Sequence, residues 1–413
     1  MAAGDIRNYA LVTGAYWGFT LTDGALRMLV LLHFDRLGYG PITIAFLFLF
    51  YEFFGIVTNL LGGWIAARLG LKVTLYGGLV LQVFALIMLA FLQPDWPEAA
   101  SVAYVMAAQA LSGIAKDLTK MSSKSAIKLV VPAGAEGTLF KWVSRLTGSK
   151  NALKGMGFFV GGVLLTSLGF RGSLFAMAAA LTLVLLGTVV ALPHGLGTSK
   201  KKVKFTTILS KSAPVNWLSA ARVFLFGARD VWFVVGLPVF LASSLGWSFA
   251  GVGGFIASWF IGYGIVQAFV PDLLRRSGGS VDGGTAQFWA FVLALVPVAL
   301  VGTLFAGANP SVSVMIGLAV FGVIFAINSS VHSYLILAYT DADKVALNVG
   351  FYYMANAAGR LLGTLLSGIV FQLYGFSGCL IASALLLLAA ACLSFNLPRG
   401  VSASVTGAVA EAE

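Results

Sequence analysis

Charge is scarce in this chain. Only 10% of its 413 residues are charged, while 59% are hydrophobic; soluble domains carry about 25% charge. A chain so poor in charge cannot cover itself with a water-facing surface, which excludes a soluble enzyme or a nucleic-acid-binding domain. The net charge of +11 would suggest nucleic acid on a soluble protein; here the placement of the charges matters more than their sum. Cysteine is nearly absent. Cys379 and Cys392 fall on one expected helix, about 20 Å apart at the helical rise, too far for a disulfide or a shared thiolate site. There is no Walker loop, no GxSxG-type nucleophile and no His/Cys/Asp cluster at metal-ligand spacing. These gaps predict a protein without ATP-driven chemistry, catalytic residues, metal or cofactor.

Long apolar runs dominate instead. A bilayer core needs about 20 mainly apolar residues per helix, and cutting at Gly, Pro and charge predicts twelve spans: 11–34, 42–66, 73–93, 101–122, 147–169, 173–192, 215–242, 248–271, 285–306, 312–339, 351–374 and 378–397. The runs are too long for barrel strands, which alternate over about ten residues. With both termini on one side, that side holds nearly all loop Lys and Arg, and the other only Arg36 and Arg171. The positive-inside rule then places both termini in the cytoplasm of a multi-pass plasma-membrane protein, expected to be monomeric. Asp5 and Arg7 near the start, before a long apolar run, argue against a signal peptide. The basic stretch 193–214 divides the chain into an N-terminal bundle (1–192) and a C-terminal bundle (215–413).

The halves resemble each other. KGMGFFVGGVLLTSLGFRG (154–172) aligns without gaps on RLLGTLLSGIVFQLYGFSG (360–378). Gly157 falls on Gly363, Gly162 on Gly368, Gly169 on Gly375 and Gly172 on Gly378, and a similar offset sets Asp23 on Asp230. Small residues at such spacing let membrane helices approach closely. Two pseudo-symmetric six-helix bundles are the major facilitator architecture, so the fold class expected is an all-α membrane protein of that type. GWIAARLGLK (63–72) resembles the facilitator loop signature between the second and third helices: Gly63, Arg68, Gly70 and Lys72 match, while Ala67 replaces the usual acid. The resemblance implies a gating loop.

Charged groups at bilayer depth are costly and are functional candidates by default. By these spans the cations are Arg27, Lys116, Lys120, Lys150, Lys154, Arg222, Arg229 and Arg360, against the anions Asp23, Glu52, Asp117 and Asp230. The excess of cations predicts a cavity for an anion bearing several negative charges. Lys120 and Lys150 lie near helix ends, where they are expected to snorkel. Arg229 and Asp230 are sequence neighbours and do not share a helix face, so each is expected to pair with another helix, with Asp23 one partner. A structural pair and a substrate contact are both open there, and Arg27 is placed to neutralise Asp23 at i,i+4. Lys154 and Arg360 are deep, lack an acid nearby in sequence and occupy matched positions, which predicts a symmetric clamp on substrate. Lys116 is the deepest of a lysine stripe, and Asn151, His332 and Asn356 are added as neutral contacts.

SGIAKDLTKMSSKSAIKLVVP (112–132) is not generic facilitator sequence. It resembles the ArsJ-type organoarsenical efflux permeases, and the similarity extends along all twelve spans. The resemblance implies export of 1-arseno-3-phosphoglycerate, made when glyceraldehyde-3-phosphate dehydrogenase uses arsenate in place of phosphate, and hence arsenate resistance at a bacterial inner membrane. The residues are compatible with it: a pentavalent oxyanion needs cations, not convergent thiols. A facilitator exchanging sugar phosphate or phosphoglycerate for phosphate needs the same cations, whereas a membrane enzyme or sensor would need a site or output domain for which no segment is available. Alternating access about a midplane site is the expected mechanism. Protons are the expected coupling ion, with Asp23, Glu52, Asp117 and Asp230 as candidate carriers.

Overall fold

In hydrocarbon a single segment satisfies its own backbone only as a helix, and the apolar runs fold accordingly. The computed structural model describes residues 3–130, 136–193, 212–276, 281–339 and 345–399. Its helices are α1 (Ala3–Arg36), α2 (Pro41–Leu47), α3 (Leu49–Ala90), α4 (Glu98–Val130), α5 (Glu136–Ala191), α6 (Ala213–Phe233) and α7 (Gly236–Val239). A single π-turn at Phe240–Ser244 is followed by α8 (Phe249–Arg276), α9 (Gly283–Phe305), α10 (Pro310–Ala338) and α11 (Val345–Ser394). Most of the basic linker, 194–211, lies outside the described residues.

Among the described residues, eight segments are long and apolar enough to cross a membrane. The protein is therefore all-α and multi-pass. α1 and α4 are not among the eight because Asp23 and Arg27 interrupt one, and Lys116, Asp117 and Lys120 the other. Val190, Phe305, Tyr374 and Leu183 stand more than two-thirds exposed, which is where a lipid-facing surface belongs. Within, Trp232, Phe321 and Phe325 interlock in the largest apolar cluster.

The fifth and sixth expected spans lie in α5, and the eleventh and twelfth in α11. Each pair is divided by one residue: Gly169 (φ 68°, ψ −176°) and Gly375 (φ 65°, ψ −163°). That backbone region is essentially open to glycine alone. The expected loops at these points thus shrink to a single residue, and the Ser173 hydroxyl donates to the carbonyl of Gly169.

Two further matched pairs, Gly157 with Gly363 and Gly162 with Gly368, sit at helix crossings. A Cβ on Gly157 would lie 2.5 Å from the Leu21 carbonyl of α1, and one on Gly363 would lie 2.7 Å from the Gly227 carbonyl of α6. A Cβ on Gly162 would meet Phe249 O at the start of α8, and one on Gly368 would meet Pro41 O at the start of α2, each at 2.5 Å. Backbones pack this closely only where no side chain intervenes. α9 begins where the Asp282 carboxylate accepts from Thr285 N at 3.0 Å, half of a reciprocal capping box.

Candidate functional site

Four helices deliver charge to one buried place. Glu52 on α3 is fully enclosed, and its Oε1 accepts from Arg27 Nη1 of α1 at 2.8 Å and from Arg360 Nη2 of α11 at 2.6 Å. Arg360 Nε reaches Asp230 Oδ2 at 3.3 Å, and the Arg229 guanidinium holds Asp230 Oδ1 at 2.5 Å. A continuous chain of ion pairs therefore runs Arg27–Glu52–Arg360–Asp230–Arg229 and joins residues 308 apart in sequence. Such pairs offset their desolvation only with good geometry and further hydrogen bonds. Here the chain is not saturated: Glu52 Oε2 and Arg27 Nη2 are buried with no hydrogen-bond partner.

Asp23 stands beside this chain. Its two carboxylate oxygens accept from the Tyr51 hydroxyl at 2.8 and 2.9 Å. Lys116 Nζ lies 4.0 Å above the Tyr51 ring, and Lys154 Nζ lies 5.8 Å from the Phe158 ring. Neither lysine forms an ion pair with a described residue, and Lys154 is within electrostatic range of Arg360, Asp23, Arg27 and Lys116. Five basic side chains thus surround three carboxylates, a formal excess of two positive charges.

Several expected pairings are corrected. Arg229 pairs with its own neighbour Asp230; the i,i+1 rule concerns Cβ directions, and the long guanidinium arm curls back across them. Its charge is further enclosed by the Phe226, Phe233 and Phe325 rings at 4.8, 5.9 and 5.5 Å. Arg27 turns to Glu52, not to Asp23 one turn away, and Asp23 takes Tyr51 instead of Arg229 or Asp230. Arg360 has no acid nearby in sequence but two in space. Lys120 does not snorkel: it donates to Asp117 at 2.8 Å and to Asn59 at 2.5 Å. Asp117 also accepts from Thr58 at 2.7 Å and Asn59 at 3.3 Å, so Lys120 and two neutral donors hold it beside Lys116.

The remaining candidates disperse. Asn151 meets Gln267 of α8 at 3.4 Å, away from the ion-pair chain. Asn356 and His332 belong to a second group around Arg222, at the next level of α6, α10 and α11. Lys72 Nζ donates to the Leu192 and Pro193 carbonyls at 3.1 and 3.4 Å, closing the end of α5. Gly63, Arg68, Gly70 and Lys72 all fall inside α3, so the loop expected between the second and third spans is corrected to continuous helix; the Arg68 side chain lies outside the described residues. Cys379 is buried and Cys392 exposed, both as free thiols. Sequence reasoning missed Tyr51, although an aromatic hydroxyl one residue before Glu52 was a usable signal.

The sequence profile of the Major Facilitator Superfamily matches residues 11–331, well over half of the chain. The chain belongs to the Major Facilitator Superfamily. A crystal structure of the nucleoside transporter NupG, carrying a single substitution, superposes with a TM-score of 0.72 over 95% of this chain and 98% of that one. At 16% identity this likeness concerns the fold. No protein of curated function matches significantly. As a facilitator, the protein is a secondary transporter of small molecules across a membrane and not an enzyme.

Proposed function

We propose that this facilitator exports an organic oxyanion, with 1-arseno-3-phosphoglycerate as the substrate, and so confers arsenate resistance on a bacterial cell. The carrying observation is the formal excess of two positive charges over Asp23, Glu52 and Asp230, with the half-buried Lys116 and Lys154 beside them in no ion pair with a described residue. An unpaired buried charge is destabilising on its own; a multiply charged anion that neutralises it during transport gives its retention a purpose. The arsenical identity rests on the resemblance of 112–132 to ArsJ-type permeases.

In this reading twelve spans form two six-helix halves, 1–192 and 215–413, joined by the cytoplasmic linker 193–214, and the halves rock about the central site. Lys116, Lys154, Arg229 and Arg360 hold the anion, with Arg27 behind them. Lysine supplies a point charge and arginine a bidentate fork for the oxyanion. The entering oxyanion competes with Glu52 for Arg360. Glu52 loses a guanidinium at that step, and a proton takes its place. Glu52 and Asp230 both lose Arg360 at that step and keep Arg27 and Arg229 respectively. Of the four candidate carriers Glu52 is the best placed, because its Oε2 is buried without a hydrogen-bond partner, whereas Asp117 keeps Lys120 and Asp23 keeps the Tyr51 hydroxyl.

The test is uptake into everted membrane vesicles that contain the protein, with the ester generated from glyceraldehyde-3-phosphate, arsenate and NAD+ by the dehydrogenase. Uptake is expected, and it should rise when a proton gradient is imposed. Vesicles that ignore the ester but exchange phosphoglycerate for phosphate would establish the organophosphate exchanger instead.

A further inference from the structure

A second buried cation lies two helical turns from the ion-pair chain. Arg222 on α6 is 5% exposed. Its Nε donates to Asn356 Oδ1 at 2.9 Å, and its Nη1 donates to Ser329 O and Oγ at 3.3 and 3.2 Å. Its guanidinium sits 3.9 Å from the Phe226 ring and 4.9 Å from the Tyr352 ring. Every one of these partners is neutral, and no carboxylate among the described residues pairs with it. Lys120 shows the contrast, since Asp117 neutralises that lysine directly. One turn along α10 from Ser329, the fully buried His332 has an Nδ1 with no hydrogen-bond partner, and the nearby Ser330 hydroxyl and Asn328 carbonyl oxygen are also unpartnered.

The two cation levels are connected. Arg222 and Arg229 share a face of α6 at seven-residue spacing, and Asn356 and Arg360 share a face of α11 at i,i+4. Phe226 lies between the two arginines: their guanidinium carbons are 3.9 and 4.8 Å from its ring centroid. Their separation cannot exceed those two distances together, which is short enough for the ends of one small molecule.

We propose that Arg222, with Asn356, Ser329 and His332, forms a second anion subsite, so that the substrate is a short-chain molecule with an oxyanion at each end. The proposal rests on the oxyanion reading above and refines it. The ion-pair chain takes one end and Arg222 the other, with Phe226 packed along the carbon backbone between them. Inorganic arsenate or phosphate fills only one level and is discriminated against by the vacancy at the other.

The test compares two stable probes on the full chain in lipid nanodiscs: propane-1,3-bisphosphonate and propylphosphonate. The wild type is expected to bind the bisphosphonate roughly 10- to 100-fold more tightly, the range of one charge-assisted contact. Arg222→Gln should reduce that preference to about 2-fold or less, while propylphosphonate binding persists. Arg222→Lys and Asn356→Ala, which keep a charge at the site, should each narrow the preference in part. They carry the test if the glutamine variant does not fold. A preference unchanged in all three variants overturns the second subsite, as does equal binding of the two probes by the wild type; both results leave the oxyanion reading standing. Failure of the wild type to bind either probe overturns both.

Discussion

At the scale of single residues, the central cations differ in what they leave behind when removed. Arg360→Gln leaves Glu52 with Arg27 and Asp230 with Arg229, so the protein should still reach the membrane at normal levels. Anion binding should weaken by about 1.5–3 kcal/mol, the value of a lost charge-assisted hydrogen bond. Lys154→Gln removes a charge with no ion-pair partner among the described residues, and should weaken binding similarly while leaving or raising thermal stability. Equilibrium binding of propylphosphonate, measured beside melting temperature, separates these outcomes. A fall in stability for Lys154→Gln, reversed by Asp23→Asn, would make that lysine structural. Glu52→Gln should leave arsenical-for-arsenical exchange intact and abolish its response to an imposed pH gradient, read by counterflow in proteoliposomes. The identities of the buried charges were legible in sequence because any charge in an apolar run stands out. Their pairings were not. Glu52 and Arg360 are separated by most of the chain, and the Arg229–Asp230 contact depends on side-chain conformations that spacing rules do not describe.

At the scale of elements, the apolar, membrane-crossing helices were legible from hydropathy, eight of them among the described residues, and the glycine register was legible from the repeat. The function of each glycine was not, because a close crossing and a chain break demand the same residue. Gly169 and Gly375 break their helices at positive φ, so Gly169→Ala or Gly375→Ala should destabilise by about 1–3 kcal/mol. Gly14, inside α1 with nothing within 4 Å of an added Cβ, is the control: Gly14→Ala should be neutral or stabilising. Thermal unfolding in detergent reads the difference. Equal effects at the three positions would show that the breaks carry no strain.

At the scale of the whole molecule, topology and chemistry make separate predictions. Reporter fusions at Lys202 and Pro94 should report opposite sides of the membrane, and matching signals would overturn the twelve-span count. Cys379→Ser combined with Cys392→Ser should leave arsenate resistance unchanged, because the proposed site binds an oxyanion through cations. Lost resistance at normal protein levels would instead implicate arsenic–thiol chemistry.

The ion-pair chain also sets a schedule for biogenesis. Glu52 and Arg360 are 308 residues apart, and at about 5–20 residues per second a ribosome needs roughly 15–60 s to bridge that interval. Until then Arg27 is the one ion-pair partner Glu52 has among the described residues, and α1 and α3 wait with that network incomplete. The nascent first half is therefore a dependent intermediate, and the ion pair proposed to open for the substrate is also among the last to form as the chain is made.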